Sequence, residues 1–133
     1  MANFELFEKR RTPPAREPYV TLLKTGVISM NSFAYELVGR PKYFEFLYDP
    51  TDRIVGLRPL QVETQFSYPV RELKSAAGGT FSVSAKAFMI FYDLPMSTSI
   101  RRTAWLDDGL LCVDLKDPGI DVTAIRGRGG DAT

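Results

Sequence analysis

Apolar residues dominate 19–24, rich in aromatic and β-branched side chains, and the extended run 27–30, with the polar turn Thr25-Gly26 between them, a pattern that predicts two short strands joined by a turn. From Ser32 the period lengthens. Phe33 with Leu37, and Ala34 with Val38, stand four apart and line one face of a helix over 32–38. Asn31 is placed to cap that helix by accepting a hydrogen bond from a first-turn amide, and Gly39 to end it in the left-handed conformation. Alternation appears in YFEFLY, residues 43–48. There Phe44, Phe46 and Tyr48 share one face and Tyr43, Glu45 and Leu47 the other, so both faces are expected to be at least half covered. Asp49-Pro50-Thr51-Asp52 reads as a turn, because Asp can bond back to the backbone and Pro presets the next dihedral. Residues 53–58 return as the partner strand, which Pro59 ends or leaves at a sheet edge.

The second half repeats this order. Residues 68–74 predict a strand, SAAGG a hairpin loop, 80–83 a strand, and Ser84 the cap of a helix running to about Asp93. That helix, AKAFMIFYDL, is apolar almost all the way round, so it should be more buried than the first or lie under a partner. Pro95 prevents its continuation. Residues 99–106 and 110–115 predict a second hairpin, closed by Asp108-Gly109 in positive dihedrals. A shift of 53 residues pairs Ile28 with Phe81, Ser29 with Ser82, Met30 with Val83, Asn31 with Ser84 and Ala34 with Ala87, so residues 26–58 and 79–115 read as two copies of one unit. The expected organisation is a flexible, basic, Pro-rich arm over 1–18, one tandem-repeat domain over 19–115 (copies about 19–59 and 68–115), and a flexible tail over 116–133.

A strand, a capped helix ending in glycine and a hairpin divided by an acidic turn, as in GVISMNSFAYELVG followed by FEFLYDPTDRIVGLRP, resembles the repeat of the AbrB-like swapped-hairpin barrels. The second copy keeps GTFSVSAKAF and the DDG turn, without a glycine at its helix end. Two copies in one chain are most similar to the MraZ-like branch of that family. The resemblance implies an α+β fold, a small β-barrel-like domain from two strand-helix-hairpin repeats, and a DNA-binding transcriptional regulator whose contacts are basic residues near the helices. Onto this sequence it carries Lys24, Arg40 and Lys42 around the first helix, and Lys74, Lys86, Arg101 and Arg102 around the second. Arg10 and Arg11 of the arm can swing toward them.

Composition narrows the alternatives. With 133 residues, 44% of them hydrophobic and 12% aromatic, the chain can fill one core. Seventeen basic against sixteen acidic side chains leave a net charge of +1, so a polyanionic partner must be held by a local patch. Histidine is absent, which removes Ser-His and Cys-His nucleophilic pairs and most zinc and non-haem iron sites. The single Cys112, in the apolar run LLCVDL, reads as a buried, inert thiol. Asp49 with Asp52, and Asp107 with Asp108, lie in predicted turns rather than in an oxygen-rich cation loop. The glycine groups at 78–79 and 127–130 do not open helices as phosphate loops do. The aromatic run 43–48 could stack bases of a single strand, although two-sided core packing gives the same pattern. Arg126 and Arg128 among glycines are too few for an RGG tract. No enzyme, cofactor, metal or small-molecule substrate is expected. No apolar run reaches the roughly 18 residues of a membrane span, so a cytoplasmic protein without membrane contact is expected. The alternative to DNA binding is a scaffolding protein that self-assembles through the second helix by Phe88, Phe91 and Tyr92.

Overall fold

A computed structural model describes residues 17–75 and 78–124. In chain order the elements are β1 (Tyr19–Leu22), β2 (Val27–Asn31), α1 (Ser32–Leu37), β3 (Tyr43–Asp49), β4 (Ile54–Leu60), β5 (Tyr68–Pro69) and β6 (Arg71–Ser75). They continue with β7 (Gly78–Ser84), α2 (Lys86–Phe91), β8 (Ile100–Thr103), β9 (Trp105–Asp107), β10 (Leu110–Asp114) and β11 (Ile120–Asp121). The strands form two antiparallel sheets. A six-stranded sheet runs β11-β8-β1-β2-β7-β6, and a five-stranded sheet runs β5-β3-β4-β10-β9.

Strand alternation builds the core. Val20, Leu22, Ile28, Met30, Phe81 and Val83 turn one face of the six-stranded sheet inward, against Phe44, Val55, Leu57, Leu111 and Val113 of the other sheet. Each strand presents alternate residues to this interior, so the opposite face of the six-stranded sheet is left with the polar positions between them. Ala34 and Tyr35 of α1, and Phe88 and Met89 of α2, add to the same core.

The α+β expectation of a barrel-like domain built from two strand-helix-hairpin repeats is overturned. Strands make up 47% of the described residues and helices 14%, and the two sheets stay open rather than closing into a barrel. The physical reason is that each helix is only six residues long and packs on the sheets, while the outer strands of each sheet find no partner among the described residues that would join them into a ring. β2 and β7 lie antiparallel with Ser29 opposite Ser82, the two residues that the 53-residue shift equates.

Local signals fare unevenly. Asn31 Oδ1 accepts the Ala34 amide at 2.9 Å, as a cap should, and Gly39 follows α1 at φ +83°. Asp49 Oδ1 accepts the Thr51 and Asp52 amides at 2.9 and 3.2 Å, and Asp108 and Gly109 take the positive φ values of a tight hairpin. The cap assigned to Ser84 is not made. Ser84 stays in the ladder opposite Val27, Ala85 occupies the cap position, and its amide donates to Gly26 O at 2.8 Å. Without a glycine at its end, α2 terminates on Asp93 at φ +55°, and the Leu94 amide reaches back to Met89 O.

Two boundaries also move. The strand expected over 99–106 breaks at the buried Ala104, whose amide donates to Pro18 O, so β8 joins the six-stranded sheet and β9 the other. The tail expected from residue 116 is in part structured. Arg102, half-buried beneath it, donates to the carbonyls of Asp117 and Leu115, and β11 then pairs with β8. The rest of the expected tail, from 125, and the arm over 1–16 lie outside the described residues, so Arg10, Arg11, Arg126 and Arg128 are not placed.

Candidate nucleic-acid interface

The outer face of the six-stranded sheet follows from register. Residues directly opposite one another across a ladder point to the same side of a sheet. Pairing therefore lines up Ile120, Arg101, Thr21, Ser29, Ser82 and Arg71 in one row across all six strands. The next row on the same face holds Thr103, Tyr19, Asn31, Thr80 and Leu73. No Asp or Glu occurs in β1, β2, β7 or β8, so the four central strands offer hydroxyls, one amide and arginine with no carboxylate among them.

A groove of about 310 Å³ opens on this face, lined by Tyr19, Thr21, Ser29, Met30, Asn31, Thr80 and Arg101. Its geometry is fixed from below. Asn31 Oδ1 accepts the Tyr19 amide at 3.1 Å as well as the α1 amide, and its Nδ2 donates to Glu17 O at 3.0 Å, so one side chain ties the start of β1 to the end of β2. The Arg101 guanidinium lies 4.7 Å from the Tyr19 ring centroid, a cation–π contact that holds it over the sheet. Its Nε is buried and has no hydrogen-bond partner among the described residues.

The remaining basic candidates are dispersed. Lys24 and Lys86 are exposed and flank the same turn: the Lys24 amide donates to Ser99 Oγ, and Lys86 packs so closely on Gly26 that an added Cβ would come within 2.7 Å of the lysine Cβ. Arg40 lies at the other end of β2, paired with Glu36 at 2.7 Å and stacked 5.2 Å from the Tyr35 ring and 5.7 Å from Phe81. Lys42 is exposed beside β5, its backbone bonded to Leu60 and Val70. Lys74 is opposite Gly79 in the ladder between β6 and β7. Arg102 sits opposite Val20, on the inward side. There burial pushes its pKa down, nearby Asp117 and Asp114 oppose that shift, and its donors are spent on backbone carbonyls. The structure thus brings Lys24 and Lys86 together, sets Arg101 alone on the groove, and separates Arg40, Lys42 and Arg102 from it.

Arg71 and Tyr19 are not among the site residues read from the sequence; Arg71 joins the row through the register of β6 on β7, which puts it opposite Ser82. The aromatic run 43–48 is not a free stacking platform. Phe44 is fully buried, Phe46 packs on Phe88 at 5.0 Å, and Tyr48 packs on Tyr92 at 4.9 Å.

A second surface feature lies on α2. Ile90 is 58%, Phe91 78% and Tyr92 40% exposed, around a groove of about 260 Å³ lined by Phe46, Tyr68, Ala87, Phe88, Phe91 and Tyr92. The helix is therefore not the more buried of the two. The fifth residue of α1 is Glu36, bonded to Arg40, whereas the fifth residue of α2 is Ile90.

Among the described residues no group of acidic or cysteine side chains is arranged to hold a metal ion, and no helix is long and apolar enough to cross a membrane. The Cys112 thiol is buried and its pKa is raised by that burial. No family profile, curated protein or solved structure matches the chain.

Proposed function

We propose that the protein is a non-enzymatic DNA-binding regulator that grips the phosphate backbone with the outer face of its six-stranded sheet. The observation that carries this reading is the row Arg101, Thr21, Ser29, Ser82 and Arg71 on a face whose four central strands contain no carboxylate. With a net charge of only +1, attraction for a polyanion must come from local arrangement, and the four central strands of this face carry arginine and hydroxyls with no carboxylate among them. Hydroxyls and arginine are the groups that make most phosphate contacts in nucleic-acid complexes. Lys24 and Lys86, at the turn after β1, extend the basic surface at one end. Titration of the purified protein with labelled duplex and single-stranded DNA at several salt concentrations tests the reading. Binding that weakens steeply with salt supports it; no binding to either form at low salt refutes it.

One observation favours a second reading. The exposed Ile90, Phe91 and Tyr92 continue outward from the core aromatics Phe46 and Phe88, which suits self-association through α2. This role is compatible with DNA binding, since the two surfaces are built from different elements. Sedimentation velocity over a range of concentrations separates them.

A further inference from the structure

We infer that the groove beside Tyr19 is a phosphate subsite, with the Arg101 guanidinium as its cationic ligand and the Thr21 and Ser29 hydroxyls beside it. Where the phosphate belongs to a nucleic-acid backbone, this rests on the function proposed above; a free phosphate or phosphomonoester presents the same oxygens.

Comparison among the arginines sets Arg101 apart. Arg40 is bonded to Glu36, Arg58 to Glu45, and Arg102 to two backbone carbonyls, while Arg53 and Arg71 are exposed to solvent. Arg101 instead keeps a buried Nε–H without a partner among the described residues, while Tyr19 holds the guanidinium from one side. A buried donor left unpaired is unfavourable, and a ligand oxygen that reaches it through a small rotation of the guanidinium would recover that loss. Phosphate suits the site because a guanidinium offers two parallel N–H groups to two of its oxygens. Thr21 lies directly opposite Arg101, and Ser29 directly opposite Thr21, so the hydroxyls continue the donor line at the strand spacing of about 4.8 Å. A carboxylate neighbour would repel the ligand, and none occurs on β1, β2, β7 or β8. The groove, at about 310 Å³, has room for a phosphate group with part of its hydration, being about ten times the ~30 Å³ share of one water.

The test follows the arginine Nε–H resonances of the ¹⁵N-labelled protein. Sodium phosphate is titrated against sodium chloride at matched ionic strength, and then a short duplex DNA is added to a separate sample. Arg101→Lys assigns the resonance and removes the guanidinium while keeping the charge. Thr21→Val is a second variant, which removes one hydroxyl at nearly constant shape. The expected result is a saturable shift of the Arg101 resonance with phosphate and not with chloride, the same resonance moving with duplex, and a phosphate affinity lowered several-fold in Thr21→Val. An Arg101 resonance that responds to neither phosphate nor duplex overturns the subsite. Duplex binding seen by fluorescence anisotropy without a shift of Arg101 also overturns it, while leaving the DNA reading in place. A phosphate response with no duplex binding at low salt upholds the subsite for a free phosphate and overturns the DNA reading.

Discussion

Replacing Asn31 by Ala should destabilise the protein by about 1–3.5 kcal/mol, more than loss of the helix cap alone. Asn31 Oδ1 accepts the Ala34 amide at 2.9 Å and the Tyr19 amide at 3.1 Å, and Nδ2 donates to Glu17 O at 3.0 Å. Loss of the cap costs about 0.5–2 kcal/mol. The bond to Tyr19 adds about 0.5–1.5 kcal/mol, and the exposed bond to Glu17 adds the least because water replaces it readily. Asn31→Asp separates the contributions, since it keeps both acceptor bonds and loses only the donor. Ser84→Ala, at the equivalent position of the second copy, should cost under about 0.5 kcal/mol because Ser84 caps nothing. Urea unfolding measures all three as changes of midpoint at constant slope. An Asn31→Ala cost below about 0.5 kcal/mol, or a Ser84→Ala cost equal to it, would refute the reasoning.

Three further outcomes are expected. Gly26→Ala should cost more than Gly39→Ala in thermal unfolding: both glycines have positive φ, but a Cβ on Gly26 meets the Lys86 backbone at 2.9 Å, while one on Gly39 meets nothing within 4 Å. Strain alone costs about 1–2 kcal/mol, and overpacking adds about 1–3 kcal/mol. Glu45 accepts from Thr64 and Arg58, which hold its carboxyl below the usual carboxylate range. Its folded pKa is the lower one, so its contribution is present above the unfolded pKa and lost as pH falls through the folded value; the stability gap between wild type and Glu45→Gln, read from urea midpoints, should close on acidification. Phe91→Ser should leave the unfolding midpoint nearly unchanged, because the ring is largely in solvent, and should abolish any self-association that sedimentation velocity detects in the wild type.

What could be read from the sequence was short-range. The Asn31 cap, the Asp49 turn and the Asp108-Gly109 hairpin each depend on residues within a few positions of one another, and each forms. Ser84 misled because the same residue type serves equally well in a strand, and its pairing with Val27 is set by a segment more than 50 residues away. The break at Ala104, bonded to the Pro18 carbonyl, and the pairing of β11 with β8 likewise depend on contacts that no local period announces. The candidate site shows the same division. Arg101 was visible as a basic residue, but its separation from the inward Arg102, one position on, and its alignment with Arg71 appear only once β8 is registered on β1 and β7 on β6. Helix length decided the fold class: two helices of six residues could not balance two sheets.

The most direct test of DNA recognition by the outer face is the salt dependence of duplex affinity in wild type and in Arg71→Ala/Arg101→Ala, measured by fluorescence anisotropy. If about three phosphates are neutralised, affinity should fall about 40-fold between 50 and 200 mM salt, from a slope of about −0.9 per phosphate. Removing Arg71 and Arg101 should make that slope shallower by about 2 units, about one for each lost phosphate contact. A duplex affinity that is unaffected by salt, or a double variant whose slope and affinity match the wild type, would contradict the account.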